Sequence, residues 1–261
     1  MRLAVGIEYD GSAYCGWQSQ ASGRAVQSAL EEALSRIANE SVRVQSAGRT
    51  DAGVHAAGQV AHFDTRAIRD PRAWTLGTNS YLPRDIAVRW VRAVSADFHA
   101  RFSAESRAYA YVIANQQTRP GLWHQRVSWQ YRPLAVDRMN EAAVLLLGEH
   151  DFSAFRAAGC QARHPVRRLL HLALTRHHDY VILRIEANAF LQHMVRNIAG
   201  VLMEIGYGAR EPDWAREVLT GRDRCLGGIT APASGLYFLH ARYPTRFGLP
   251  EAPNDLPFGA V

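Results

Sequence analysis

Val42-Arg43-Val44-Gln45-Ser46-Ala47 reads as a strand, Gly48-Arg49-Thr50-Asp51-Ala52-Gly53 as a glycine-punctuated turn, and Gln59 to Phe63, where Val60 and His62 alternate with Ala61 and Phe63, as a second strand. Upstream, Arg2 to Glu8 is an apolar strand, and Val26, Leu30, Ala33, Leu34 and Ile37 recur at helical spacing. Downstream, Pro71 opens a short helix to about Thr78, and Ile86 to Val94 alternates as a strand. A comparable order follows residue 100: strands at Tyr109 to Ala114 and Val127 to Tyr131, a helix at Val136 to Leu147, strands at Leu169 to Arg176 and Tyr180 to Glu186, and a long helix from Phe190 to Ile205. Strands and helices mix without a regular βαβ rhythm, so the expected class is α+β with a largely antiparallel sheet. The tail from Pro244 to Val261, rich in proline, is expected to be irregular and exposed.

With 261 residues, 48% hydrophobic and 21% charged, the chain can bury one large core or two smaller ones. All 30 basic residues are arginine, against 24 acidic ones, for a net charge of +6. The absence of lysine argues against Schiff-base enzymes, P-loop NTPases and protein kinases. Arginine forks match phosphates and stack on bases, so the positive balance points to an anionic partner, nucleic acid first. Cys15, Cys160 and Cys225 form no C-x-x-C pair, and the histidines show no ligand spacing, so neither a disulfide framework nor a metal site is expected. The start turns acidic at Glu8 and no apolar run reaches the length of a membrane span, so a cytoplasmic location without membrane attachment is expected.

Three stretches carry candidate chemistry. In Ser46 to His55, Gly48 and Gly53 let the backbone turn sharply and leave Asp51 at the rim of the sheet, with Arg49 two positions away to favour its ionised form. An ionised, oriented aspartate suits covalent catalysis at an electrophilic carbon, while Asp-Ala-Gly is equally ordinary turn chemistry. Phe98 to Tyr111 interleaves rings with guanidinium groups, as single-stranded RNA recognition requires, although Tyr109 and Tyr111 also fit a half-buried strand. Arg156, Arg163, His164, Arg167 and Arg168 cluster around Gly159 and Pro165, as a phosphate-tracking or merely solvated loop would. On the long helix Phe190, Met194, Ile198, Val201, Leu202 and Ile205 share an apolar face, with His193, Arg196 and Asn197 largely off it. Two other functions remain open: a noncatalytic RNA-binding module, and a carboxylate-based hydrolase of small glycosides or nucleosides pairing Asp51 with Asp10 or Glu8.

Together these stretches resemble the tRNA pseudouridine synthase A family. The likeness runs through Gly6 to Ser12, Gly16-Trp17-Gln18, Ala47 to His55, Phe98 to Ala104, Arg107-Ala108-Tyr109, Asp151 to Ala157, Asn188-Ala189-Phe190, His193 to Ile198 and Gly235-Leu236-Tyr237. It covers nearly the whole chain in order, and Gly-Arg-Thr-Asp-Ala-Gly-Val-His is its most specific block. Gln192 departs from the pattern, where relatives often carry a second histidine, and no catalytic role attaches there.

The resemblance implies an isomerase converting uridine to pseudouridine at positions 38, 39 and 40 of the tRNA anticodon stem-loop. Asp51 matches the nucleophile, Tyr109 the tyrosine packed on the target base, Arg196 an arginine pairing with the aspartate, and Arg49 one that extrudes the base or holds RNA. Phe98, His99, Arg101 and Phe102, together with Gly159, Cys160, Gln161 and Arg163, match stretches that contact tRNA. The implied fold is two ferredoxin-like or RRM-like α+β subdomains, 1–100 and 101–261, sharing a continuous, mostly antiparallel sheet with helices on one face and a central cleft. A homodimer, no cofactor and no metal are implied.

Overall fold

The computed structural model describes residues 1–20, 23–251 and 256. They form two compact units: Met1–Glu105 with the segment from Tyr237 onward, and Ser106–Leu236. The class is α+β, and strand pairing within each unit is mostly antiparallel.

The first unit begins with β1 (Arg2–Tyr9), almost wholly buried because it is flanked on both sides. After α1 (Val26–Ala38), the two-residue β2 (Gln45–Ser46) leads through the Asp51 turn into β3 (His55–Asp64). A wide turn of π-helix at Ala73–Gly77 then passes into the short α2 (Thr78–Tyr81), and β4 (Ile86–Val94) follows. β1 lies between β3 and β4, antiparallel to both, with Val5 opposite Ala61 and Val91.

α1 buries Val26, Leu30, Ala33 and Leu34, the stripe read from its periodicity. No side chain caps its start. Instead the carbonyls of Gly16 and Trp17 accept from Val26 and Gln27, filling two of the donors that a helix N-terminus leaves open. Buried Glu31 ties α1 to the chain before β2, accepting from the Val44 N–H at 3.0 Å and pairing with Arg43 at 2.8 Å.

The second unit contains β5 (Ser106–Ala114), β6 (Ser128–Trp129), α3 (Val136–Val144), β7 (Gly148–Asp151), β8 (Val166–His177), β9 (Tyr180–Ala187), α4 (Met194–Gly206) and α5 (Trp214–Gly221). β7, β8, β9 and β5 pair antiparallel in that order, and β6 adds to β5 in parallel. The Asn140 amide on α3 clips the helix to β8 by bonding both the N–H and the carbonyl of Leu174, at 2.8 and 3.0 Å.

The last strand, β10 (Leu236–Arg242), pairs in parallel with β3 through Tyr237 opposite His55 and Phe238 opposite Ala56. A division at residue 100 does not anticipate this return. β10 is a continuous buried run rather than an alternating one, so period-2 reading passes over it. β7 and α5 are also absent from the sequence reading, being only four and eight residues long. α4 starts at Met194, not Phe190, because His193 takes a left-handed conformation with φ 62°. The tail is not uniformly exposed: Thr245–Phe247 forms a 3₁₀ turn, and Phe247 is buried with its ring 5.1 Å from that of Phe98. Residues 252–255 and 257–261 of that stretch lie outside the described residues. Among the described residues no helix is long and apolar enough to cross a membrane.

Candidate active site and RNA-contacting segments

In the first unit the Asp51 turn is fastened from beneath at several points. The Thr50 carbonyl accepts from the Trp17 N–H at 3.0 Å, and the Tyr14 carbonyl from the Gly53 N–H at 3.3 Å. The Gln59 amide donates to the Gly48 carbonyl at 2.8 Å. Below Thr50, the buried Tyr9 hydroxyl lies 2.8 Å from Oγ1. Burial pushes the Tyr9 pKa up to about 12, so this contact stays neutral throughout the physiological range.

Gly16 has φ +100°, and a Cβ there would stand 2.6 Å from the Thr50 carbonyl oxygen. Only glycine therefore lets the chain before α1 run this close under the turn. At the far end of the turn, buried His55 accepts the Gly11 N–H at Nδ1, 3.1 Å away, and stacks on Tyr237 at 4.7 Å. Asp51 itself is half-buried and Arg49 exposed.

The carboxylates considered as hydrolase partners have other work. Asp10 accepts from the Ser12 N–H and hydroxyl at 3.0 and 2.6 Å and stands 3.1 Å from His55. Glu8 pairs with Arg89 at 2.8 Å.

Also in the first unit, the stretch 98–102 splits into a core half and a surface half. Phe98 is fully buried, ringed by His62, Tyr243 and Phe247. Its carbonyl is taken by Arg2 at 2.9 Å and its N–H by Ser95. Phe98 is therefore corrected from an RNA-facing residue to a core one. Phe102, in contrast, is 75% exposed. Its ring lies 4.3 Å from that of His99, with the exposed Arg101 guanidinium 5.4 Å from its centre. His99 Nδ1 accepts the N–H groups of both Arg101 and Phe102, so the surface ring is oriented without being buried.

In the second unit, Tyr109 on β5 is buried opposite Ile185, with Phe190 edge-on at 5.0 Å. That contact explains Phe190 better than a place on the helix. Arg196 sits in the first turn of α4, where Nε donates to the Ala231 carbonyl at 2.8 Å while the Ala231 N–H returns to the Arg196 carbonyl. Segment 229–231 lies so close to α4 that a Cβ on Gly200 would be 2.0 Å from the Ile229 oxygen.

Asn197, expected to lie off the core face, is buried. It donates to the Phe155 carbonyl at 2.8 Å and accepts from Thr230 at 2.7 Å and Arg224 at 3.1 Å. A polar residue adjoining an apolar stripe gives no signal in the sequence that it is the knot of three segments.

The stretch 159–163 lies against the loop that leads into α4. The Ala157 N–H donates to the Gln192 carbonyl, and the Gln192 N–H to Cys160 Sγ at 3.4 Å. Arg156 braces the stretch from inside through the carbonyls of Cys160 and Ala162. Burial would raise the Cys160 thiol, but the N–H groups of Ala162 and Gln192, with Arg156, hold it below its ordinary value. Gly159, Gln161 and Arg163 are exposed and Cys160 half-buried. Among the described residues no cluster of three or more His, Cys, Asp or Glu could hold a metal ion.

The sequence profile of the family described as tRNA pseudouridine synthase matches residues 6–103 and 142–244. The chain belongs to the tRNA pseudouridine synthase family. As a pseudouridine synthase it is an isomerase. Its similarity to individual members is nearly end to end. It is 53% identical over 252 residues to a tRNA pseudouridine synthase A of Coxiella burnetii (strain Dugway 5J108-111), covering 97% of each chain. It is 55% identical over 253 residues to that of Vibrio cholerae serotype O1 (strain ATCC 39541), covering 97% of this chain and 96% of the other. The tRNA pseudouridine synthase A of Thiobacillus denitrificans is 54% identical over 258 residues and covers 99% of each.

Proposed function

We propose that the chain isomerises uridines 38, 39 and 40 of the tRNA anticodon stem-loop, with Asp51 as the nucleophile. The N1–C1′ glycosidic bond breaks, the uracil turns while bound, C5 bonds to C1′, the C5 proton leaves and N1 gains a proton. Atoms and electrons balance without an oxidant, a metal or a cofactor. Asp51 starts the reaction by attack at C1′, by addition to C6 or by assisting a glycal route. Tyr109 supports the detached ring, Arg196 pairs with the aspartate, and Arg49 helps extrude the base or holds the RNA. His99, Arg101 and Phe102, with Gly159, Cys160, Gln161 and Arg163, contact tRNA. The enzyme works as a cytoplasmic homodimer.

One observation carries this reading. Relatives that are 53–55% identical over nearly their whole length are tRNA pseudouridine synthases A, and the residue matching the family nucleophile sits on a firmly anchored turn. Extruding the target uridine costs a few kcal/mol, and guanidinium or aromatic side chains can fill the gap it leaves. The test is incubation of the purified protein with unmodified tRNA transcripts, followed by mapping of pseudouridine along the strand. Product confined to positions 38–40 is expected. Pseudouridine elsewhere would overturn the site assignment, and none at all would overturn the activity.

A further inference from the structure

The second unit carries an exposed cluster of rings and guanidinium groups for which the proposed chemistry has no use. Trp129 and Tyr131 are 44% and 51% exposed, with ring centres 6.3 Å apart. The guanidinium of exposed Arg132 lies over the Tyr131 ring at 5.6 Å and over the Tyr207 ring at 4.7 Å. Arg210 covers Trp214 at 4.9 Å. Neither Arg132 nor Arg210 forms an ion pair among the described residues. The neighbouring Glu211 is taken by Arg138 at 3.1 Å, and Glu204 stands close enough to Tyr207 to add to the effect of burial in raising its hydroxyl's pKa.

Trp129, Tyr131 and Arg132 are exposed but firmly placed, beside a half-buried Tyr207. The Trp129 indole N–H donates to the Gln116 carbonyl at 2.9 Å, and Arg132 Nε to the Tyr131 hydroxyl at 3.2 Å. The Asn115 amide holds the carbonyls of Gln130 and Arg132 at 2.9 and 2.7 Å, and its oxygen accepts from the Leu134 N–H. The rings thus lose little further freedom on meeting a ligand, which favours binding. Exposed aromatic faces beside guanidinium groups with no carboxylate partner suit a strand of stacked bases and anionic phosphates.

Position separates the cluster from the uridine site. Trp129 pairs with Ala114 at the far end of β5 from Tyr109, about 16 Å away at the rise of a strand. Tyr207 follows the C-terminal end of α4, whose first turn holds Arg196, again about 16 Å away at the rise of a helix. Residues 104–141, which include Trp129, Tyr131 and Arg132, also fall between the two family-matched segments.

We propose that Trp129, Tyr131, Arg132 and Tyr207 form a second RNA-contacting surface, which stacks nucleotides of the substrate that lie well away from the uridine being isomerised. This rests on the tRNA reading above.

The test compares Tyr131→Ala and Arg132→Gln with the parent protein in tRNA binding at several salt concentrations. Both positions are solvent-facing, and thermal melts report whether either variant is misfolded. Each is expected to weaken tRNA binding about tenfold, and Arg132→Gln also to flatten the salt dependence by about one released counterion. Affinity within twofold of the parent in both folded variants overturns the proposal. So does preserved tRNA affinity with an altered oligomeric state, which would make the cluster a protein contact. If Tyr131→Ala misfolds, Arg132→Gln decides alone, and if that misfolds too, Tyr131→Leu, which keeps the bulk of the side chain but not its aromatic face, is read by the same affinity criterion. Parent protein that makes no pseudouridine in tRNA would refute the family-based reading, whatever the variants do.

Discussion

Two segments of the first unit hold side chains that the proposed function uses at the surface by different means. The Asp51 turn hangs on the Thr50 carbonyl, the Gly53 N–H and the neutral Tyr9 hydroxyl, with the His55 imidazole accepting the Gly11 N–H at its far end. The Phe102 platform hangs on imidazoles: His62 Nδ1 accepts the Ala100 N–H at 3.1 Å, and His99 Nδ1 accepts those of Arg101 and Phe102. A nucleophile must stay within a fraction of an ångström of its target, whereas a ring that stacks on RNA can be held more loosely. The platform, held through two imidazole acceptors, should therefore loosen in acid.

The largest expected effect comes from breaking the turn. Gly16→Ala would place a methyl group 2.6 Å from the Thr50 oxygen at a residue with φ +100°. Asp51 should move by about an ångström, and steady-state assays should show turnover falling roughly 100-fold, with tRNA affinity little changed. Equal losses in both would mean that the turn serves RNA binding instead.

Acid should separate the two segments next. Burial, then His99 and Arg2, press the His62 pKa down from 6.5 to about 4, against weaker opposition from Asp64 and the Gln45 backbone. Because the folded imidazole is the weaker base, the unfolded chain takes up the proton first. The stability tied to neutral His62 is therefore complete above about pH 6.5 and is lost as pH falls towards about 4. The loss should reach at most about 3 kcal/mol in urea titrations. His62→Asn, which keeps an acceptor but cannot titrate, should flatten that part of the curve. An identical slope in the variant would contradict the assignment.

Sequence patterns reached the two segments unequally. The turn was legible because Gly48, Gly53 and the run from Arg49 to His55 mark it, and β1 and β4 because their apolar content is dense or alternating. Tyr9 was hidden inside an ordinary strand, since nothing local says that its hydroxyl will meet Thr50, 41 residues later. The platform misled for a different reason. Phe98 and Phe102 look equivalent in a run of rings and arginines, yet the packing of Tyr243 and Phe247, far along the chain, puts the first in the core and leaves the second outside.

That division can be sharpened with Phe102→Ala, which should weaken tRNA binding by about 1–3 kcal/mol if a base stacks there, measured by filter binding. The structural core should be untouched, so a lowered melting temperature would count against this view. Tyr9→Phe should give the smallest change, costing about 1 kcal/mol of stability and reducing turnover a few-fold while KM for tRNA holds. The double variant Tyr9→Phe with Thr50→Val should cost less than the sum of the two single changes, because each single change already breaks the hydroxyl pair.

The central assignment is that the Asp51 carboxylate reacts with the uridine. Replacing it with asparagine keeps the shape of the turn and removes the nucleophile, so side-by-side assays of tRNA binding and pseudouridine formation address it most directly. Asp51→Asn should bind tRNA within a few-fold of the parent and form no pseudouridine. Isomerisation at the parent rate would show that another group carries the chemistry.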